Sequence, residues 1–315
     1  MLAASNESGT EVHGHEYKGT KRVKQLTWHF QKREMKPQGS GNIDKTLGGH
    51  EYEYPGDLKE QAPSDRASLA AREIIQNSWD SARDRLKIEP DSPEFEIQFK
   101  FSEFTGTEKQ SVVEALDLEN LAERLLNDTR KGEEPLVTDK EPLESLNDPQ
   151  VPLTALTVSE TGGGGIYGPW NSQDKEPSKL ALALMGRGFS DKSPDQDGGG
   201  FFGEGKSGLI QSTNLSIVCA YTAYPTPSRP DLDGSSPTRR ALAMAYLPPH
   251  SHRNESTTGW GSLSESEKEF APINDHGADT FASTLRIDRR DPSKSSEIGS
   301  DFFLPCPSIT PDQLL

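Results

Sequence analysis

The segment EIIQNSWD, residues 73–80, places three polar side chains on one face of a predicted helix. Glu73, Asn77 and Asp80 stand at positions i, i+4 and i+7, which lie within about 60° of each other around a helix. A carboxylate beside an amide oxygen suits metal-assisted phosphoryl chemistry. A solvated polar face is the alternative interpretation. The apolar side of the same helix is predicted to contain Leu69, Ile74, Ile75 and Trp79.

Two glycine-rich segments follow this helix along the chain. SETGGGGIYGPW, residues 159–170, comes after the apolar strand LTALTV, and DGGGFFGEGKSG, residues 197–208, precedes a predicted helix. Glycines let the backbone approach a ligand closely, and glycines before a helix expose amide donors to phosphate. Either segment alone is typical of a flexible turn. Together with the polar helix they indicate a nucleotide pocket.

The order of these motifs resembles the GHKL ATPases, the superfamily of gyrase, heat-shock chaperone, histidine kinase and mismatch-repair ATPases. The resemblance spans roughly residues 66–222, and its most specific parts are SLAAREIIQNSWDSARD and GGGFFGEGKSGLIQSTNLSIVCAYT. These parts look like a prokaryotic branch of stand-alone ATP-binding proteins. The resemblance implies a Bergerat-type α+β sandwich, with a mixed, mostly antiparallel sheet and helices on one face. It also implies ATP and Mg²⁺ as ligands.

The resemblance assigns roles to individual residues by position. Glu73 would be the general base, Asn77 the magnesium ligand and Asp80 a pocket residue near the nucleotide. Glu160 would accept a hydrogen bond from the adenine amino group. The turn beside Glu160 contains Gly162, Gly164 and Gly165. The lid that would wrap the phosphates contains Gly200, Gly203, Gly205 and Lys206.

The departures from the family pattern concern base recognition. Glu160 is one methylene longer than the aspartate of the family. In HGADT, residues 276–280, Ala278 stands where relatives have a threonine, and Thr280 replaces that hydroxyl only if the register shifts. Binding of the triphosphate is therefore better supported by the sequence than adenine specificity or turnover.

A second motif competes for the same glycines, because residues 200–207 also satisfy the P-loop pattern GxxxxGK[ST]. A P-loop leaves a buried apolar strand directly, whereas the preceding residues here are GRGFSDKSPDQDGGG. No later apolar strand ends in a convincing aspartate for magnesium. The lid interpretation is therefore preferred, and Lys206 meets phosphate in both interpretations.

Composition narrows the class of partner and the cellular setting. The net charge of −16 and the pI near 4.9 argue against binding nucleic acid through the overall field of the chain. Two cysteines, Cys219 and Cys306, cannot form a disulfide framework or a CxxC metal site, which favours the cytoplasm. No secretory signal and no apolar stretch long enough to span a membrane is found in the sequence.

The predicted organisation is a disordered arm at 1–25, an ATP-binding domain with surface insertions at 26–290, and a tail or the start of a second domain at 291–315. Residues 248–275 are predicted to be irregular, and DTFASTLRI is predicted to form the last strand. Earlier elements are predicted as helices at 66–86 and 114–130, and strands at 95–101, 153–158, 214–222 and 240–247.

The expected function is Mg-dependent ATP binding and hydrolysis that drives closure of the lid over the triphosphate. The alternative is a non-catalytic nucleotide-sensing or scaffold module with an altered adenine pocket. Family members commonly use a lysine from a second domain at the γ-phosphate. A protein partner or a domain supplied in trans is therefore expected, and a homodimer is compatible with this arrangement.

Overall fold

The computed structural model describes residues 25–32, 94–127, 139–167, 179–184, 205–226, 234–265 and 271–314, with residues 67–68, 71–72, 74–76, 78–79, 82, 136–137 and 231. The strands within these ranges are β1 (Leu26–Lys32), β2 (Glu96–Phe104), β3 (Leu153–Thr161), β4 (Ile217–Ala223), β5 (Arg239–Tyr246), β6 (His250–His252), β7 (Glu255–Glu265), β8 (Ile273–Asn274) and β9 (Gly299–Pro305). The helices are α1 (Gly106–Ala115), α2 (Leu118–Leu126), α3 (Glu141–Glu144), α4 (Lys179–Leu184), α5 (Gly205–Gln211), α6 (Asp275–Thr284) and α7 (Pro311–Leu314). The described residues between 67 and 82 are also helical, and we call them the N-terminal helical segment.

The strands form one sheet in the order β1-β7-β5-β4-β9-β3-β2, with β6 beside β7 and β8 beside β5. Every pairing between described strands is antiparallel. The prediction of an α+β fold with a mostly antiparallel sheet is confirmed. The parallel pairing that a mixed sheet requires does not occur among the described strands. β4 lies near the centre and is buried along its whole length, which explains its continuous apolar sequence.

Side chains of the sheet alternate between two apolar clusters on its opposite faces. Ile217, Cys219 and Tyr221 of β4 belong to the first cluster, together with residues of α1, α2 and α6. Val218 and Ala220 belong to the second cluster, together with residues of α4, α5 and the N-terminal helical segment. We call these faces the α6 face and the α5 face. Successive side chains of a strand point to opposite sides of the sheet, so the two clusters lie on opposite faces. Helices contribute to both clusters. The prediction of helices on one face is therefore wrong.

Two predicted elements differ from the structure. The helix predicted at 114–130 is interrupted at Asp117, whose φ of 47° is left-handed, so α1 ends before it and α2 begins after it. DTFASTLRI lies mostly in α6 and forms no strand. Buried residues of α6 and the turn after it follow the helical spacing i, i+3, i+4 and i+7, and they are Ala278, Phe281, Ala282 and Leu285.

The region 248–275 is not irregular, because it contains β6, β7 and β8. β7 carries buried Thr257, Ser262 and Ser264, and these polar residues hide the strand from a hydrophobic pattern. The predicted boundary at residue 290 is also wrong, since β9 pairs with both β3 and β4 inside the sheet. β1 lies at one edge of the sheet.

Candidate functional site

A row of polar side chains crosses the α5 face at one end of the sheet. Glu160 of β3 lies opposite Ser300 of β9, Ser300 lies opposite Thr222 of β4, and Thr222 lies opposite Arg240 of β5. Directly opposite residues of neighbouring antiparallel strands share a face, so these four side chains stand side by side. They are 5%, 0%, 0% and 1% exposed, respectively. A carboxylate, two hydroxyls and a guanidinium are thus gathered in a buried row.

The two hydroxyls of the row are linked to each other and to the glycine turn. Thr222 Oγ1 and Ser300 Oγ share a hydrogen bond of 3.0 Å. Thr222 Oγ1 also donates to the Gly299 carbonyl at 3.2 Å and accepts from the Ile166 backbone amide at 2.8 Å. Thr222 therefore joins the centre of the sheet to the segment that follows β3.

The glycine turn after β3 has the backbone that its sequence suggests. Gly162, Gly164 and Gly165 have φ values of 84°, 84° and 73°, in the left-handed region that favours glycine. A Cβ at Gly165 would overlap the Ala223 carbonyl oxygen and lie 3.2 Å from Thr222 Oγ1. The turn therefore lies directly against β4 because Gly165 has no side chain.

Two ion pairs involve this row, one through its own member Arg240 and the other through Asp301, the neighbour of Ser300 in β9. Arg240 Nη2 contacts Oδ1 and Oδ2 of Asp231, both at 2.6 Å. Arg290 is 7% exposed and donates from Nη2 to Asp301 Oδ1 at 2.9 Å. Burial acts to lower the pKa of Arg290, but the Asp301 carboxylate and the charge of Glu160 outweigh burial and raise that pKa. Glu160 therefore lies in the field of a permanently charged guanidinium.

The N-terminal helical segment packs on the same face as Glu160. Ala67 and Ile74 belong to the apolar cluster that also contains Leu156 and Val158 of β3. The predicted apolar side of this helix is only partly right. Ile74 is 4% exposed, whereas Ile75 is 46% exposed and Trp79 is 48% exposed.

The buried positions of this segment are Ala67, Ile74, Ser78 and Ala82. They recur at the spacings of one helical stripe. The buried face of the helix is therefore rotated about the helix axis from the predicted apolar face.

Several predicted site residues fall outside the described residues, namely Glu73, Asn77, Asp80, Gly200 and Gly203. Gly205 is the first residue of α5, and Lys206 follows it in the same helix, with a side chain that also lies outside the description. Among the described residues, the structure brings together Glu160, Gly162, Gly164 and Gly165.

The segment that the resemblance aligns with an adenine-fixing threonine does not lie beside Glu160. Ala278 and Thr280 lie in α6, on the opposite face of the sheet from Glu160. The Thr280 hydroxyl donates to the His276 carbonyl at 2.9 Å within that helix. Ser300 and Thr222 are instead the hydroxyls nearest to Glu160 in strand register, and the sequence argument missed both.

Ser300 was missed because GSDFFLP was assigned to a tail. The available signal was its apolar run FFL beside a glycine, which is typical of a buried strand. No group of three or more His, Cys, Asp or Glu side chains placed to hold a metal ion occurs within the described part of the chain. Searching the described helices for one with the length and apolarity of a membrane span also gave none. Comparison of the chain with protein-family models, with curated proteins and with solved structures gave no match.

Proposed function

We propose that this chain binds ATP with Mg²⁺ on the α5 face and hydrolyses it. The observation that carries the proposal is the buried row of Glu160, Ser300 and Thr222 beside the glycine turn. This row lies on the face against which the N-terminal helical segment packs. The segment contains by sequence the ExxxNxxD motif, so base-recognising and phosphate-directed chemistry would meet on one side of the sheet.

At the base end of the site, Glu160 accepts a hydrogen bond from the adenine amino group. The Thr222 hydroxyl donates its single hydrogen to the Gly299 carbonyl, so Ser300, one strand from Glu160, is the donor of the hydroxyl pair and can turn its hydrogen to a ring nitrogen. Guanine carries a carbonyl oxygen where adenine carries the amino group, and a carboxylate repels that oxygen. Adenine is therefore the base that this row would select.

At the phosphate end, the roles come from the sequence resemblance. Glu73 activates the attacking water, Asn77 holds the magnesium ion and Asp80 lies near the nucleotide. Gly200, Gly203, Gly205 and Lys206 form a lid that closes over the triphosphate. Nucleotide binding at such a site causes a conformational change. A protein partner or second subunit that binds only one of the two conformations fits the proposal.

The proposal is tested by calorimetric titration with a non-hydrolysable ATP analogue, with and without Mg²⁺, against the corresponding GTP analogue. We expect metal-dependent binding with preference for the adenine nucleotide. Glu73→Ala should keep this affinity and lose phosphate release by at least a hundredfold, because general-base catalysis typically contributes about that factor. Glu119→Ala, which removes an exposed carboxylate of α2, is the control and should hydrolyse ATP as the wild type does.

Equal phosphate release by Glu73→Ala and wild type would refute the catalytic assignment. Binding without phosphate release in the wild type would favour the nucleotide-sensing module instead. This alternative is retained because Glu160 stands where the family has an aspartate. Absence of binding to both analogues would refute the proposed function as a whole.

A further inference from the structure

The carboxyl group of Glu160 occupies the space that a side chain at position 163 would fill. A Cβ built on Gly163 would lie 2.6 Å from Glu160 Cδ and 3.2 Å from Oε2, and still closer to Oε1. Side chains of a strand usually stand roughly perpendicular to the sheet. The Glu160 carboxyl group lies against the residue three positions later, in the glycine turn.

Gly163 differs in this respect from the other glycines of the turn. Gly162 and Gly165 have left-handed backbones, and a Cβ on either would meet a backbone oxygen, of Glu94 or of Ala223. Gly163 is absent from the left-handed residues, so its backbone admits alanine. The three atoms nearest to its missing Cβ all belong to the Glu160 carboxyl group. The steric requirement for glycine at 163 is thus set by the carboxylate rather than by the main chain.

We propose that Gly163 is a positioning residue that retracts the Glu160 carboxylate to the reach of an aspartate and thereby sets adenine selectivity. This inference rests on the proposed function. A glutamate is one methylene longer than an aspartate, and an extended glutamate would project into the space of the base. Folding the side chain over a glycine withdraws the carboxylate toward the sheet, where it meets the amino group of adenine.

The inference predicts a specific effect of Gly163→Ala. The atoms in conflict are the far end of a flexible side chain, so the main chain can stay in place while the Glu160 carboxylate is displaced. We expect this variant to fold and to lose preference for the ATP analogue over the GTP analogue by about tenfold or more, the magnitude of one hydrogen bond to a charged group.

The inference also predicts a rescue. Glu160→Asp shortens the side chain by one methylene, which removes the conflict with alanine at 163. The double variant Gly163→Ala with Glu160→Asp should therefore recover adenine preference relative to Gly163→Ala alone. Such a departure from additivity is expected only for residues that contact each other.

The matched control is Gly277→Ala in α6, on the opposite face of the sheet. A Cβ there would also meet only a side-chain atom, Ile273 Cγ2, at 2.8 Å, and its backbone is not left-handed. This control should keep the wild-type ratio of affinities. If both alanine variants changed the ratio of affinities for the two analogues, the effect would be a general response of the fold to an added methyl group. That result would overturn the inference.

The experiment measures affinity for both analogues by calorimetry, and thermal unfolding, in the wild type, both single variants, the double variant and the control. Wild-type selectivity in Gly163→Ala, or strictly additive effects in the double variant, would overturn the role of Gly163 while the proposed function stands. Failure of the wild type to bind either analogue would instead overturn the proposed function. If Gly163→Ala alone does not fold, a folded, adenine-selective double variant supports the inference and an unfolded one overturns it.

Discussion

Asp117 carries a charge in a place that disfavours it. The residue is 9% exposed, lies between α1 and α2, and has a left-handed φ of 47°. Its Oδ1 accepts a hydrogen bond from Asn120 Nδ2 at 2.6 Å, whereas its buried Oδ2 has no hydrogen-bond partner among the described residues. Burial raises the pKa of Asp117 above the usual 3.8, and the Asn120 and Trp28 amides only partly oppose this shift. The ionised form at neutral pH therefore destabilises the fold.

Asp117→Asn should stabilise the protein at pH 7, because it removes a charge that burial disfavours. Asparagine keeps the acceptor for Asn120 and tolerates the left-handed backbone. Because the folded-state pKa is raised, the wild type gains stability from protonation below pH 3.8 and loses this gain as pH rises through the raised pKa.

The advantage of Asp117→Asn in urea unfolding should therefore shrink as pH falls from 7 toward 4. Asp288→Asn, which changes an exposed aspartate, is the control and should show no such trend. An advantage that stays constant with pH would contradict the assignment to the buried charge.

At the scale of elements, Lys109 of α1 forms hydrogen bonds to the turn that follows α3. Its side chain is 2% exposed, and Nζ donates to the carbonyl oxygens of Ser145, Asp148 and Val151 at 2.6, 2.7 and 2.8 Å. An ammonium group has three donors, so this cation is fully satisfied by backbone. Burial lowers its pKa, and the charge of Asp148 partly opposes that shift.

Lys109→Met should lower the free energy of unfolding by about 3 kcal/mol, since it leaves three carbonyl oxygens facing an apolar side chain. Urea denaturation measures this loss. Lys100→Met makes the same replacement at an exposed position of β2 and should change stability little. Equal losses in the two variants would show that the three contacts contribute nothing particular to stability.

Local pattern predicted some elements and missed others for physical reasons. β2 was predictable because Ile97, Phe99 and Phe101 alternate with exposed polar residues. DTFASTLRI was misread as a strand although its residues Phe281, Ala282 and Leu285 recur at a helical spacing, which burial confirms. Lys109 gave no sequence signal, since its three partners are backbone atoms.

At the scale of the whole molecule, the sequence likewise predicted some residues of the candidate site and missed others. Glu160 and the glycine turn lie next to each other in sequence, so motif reasoning found them together. Ser300 and Thr222 reach Glu160 only through the pairing of β9 with β3 and β4. Strand register between distant segments is set by tertiary packing, which a single sequence does not display.

β9 occupies the middle of the sheet although it is formed near the C-terminal end of the chain. A variant that lacks residues 299–315 loses the pairings of β9 with β3 and β4 and the buried side chains of Phe303 and Leu304, which lie on opposite faces. We expect it to show no cooperative thermal unfolding by circular dichroism. A variant that lacks residues 1–32 loses the edge strand β1 and keeps the pairings of β9, so it should unfold cooperatively at a lower temperature than the full chain. Cooperative unfolding of the first variant near the wild-type temperature would contradict the central position of β9.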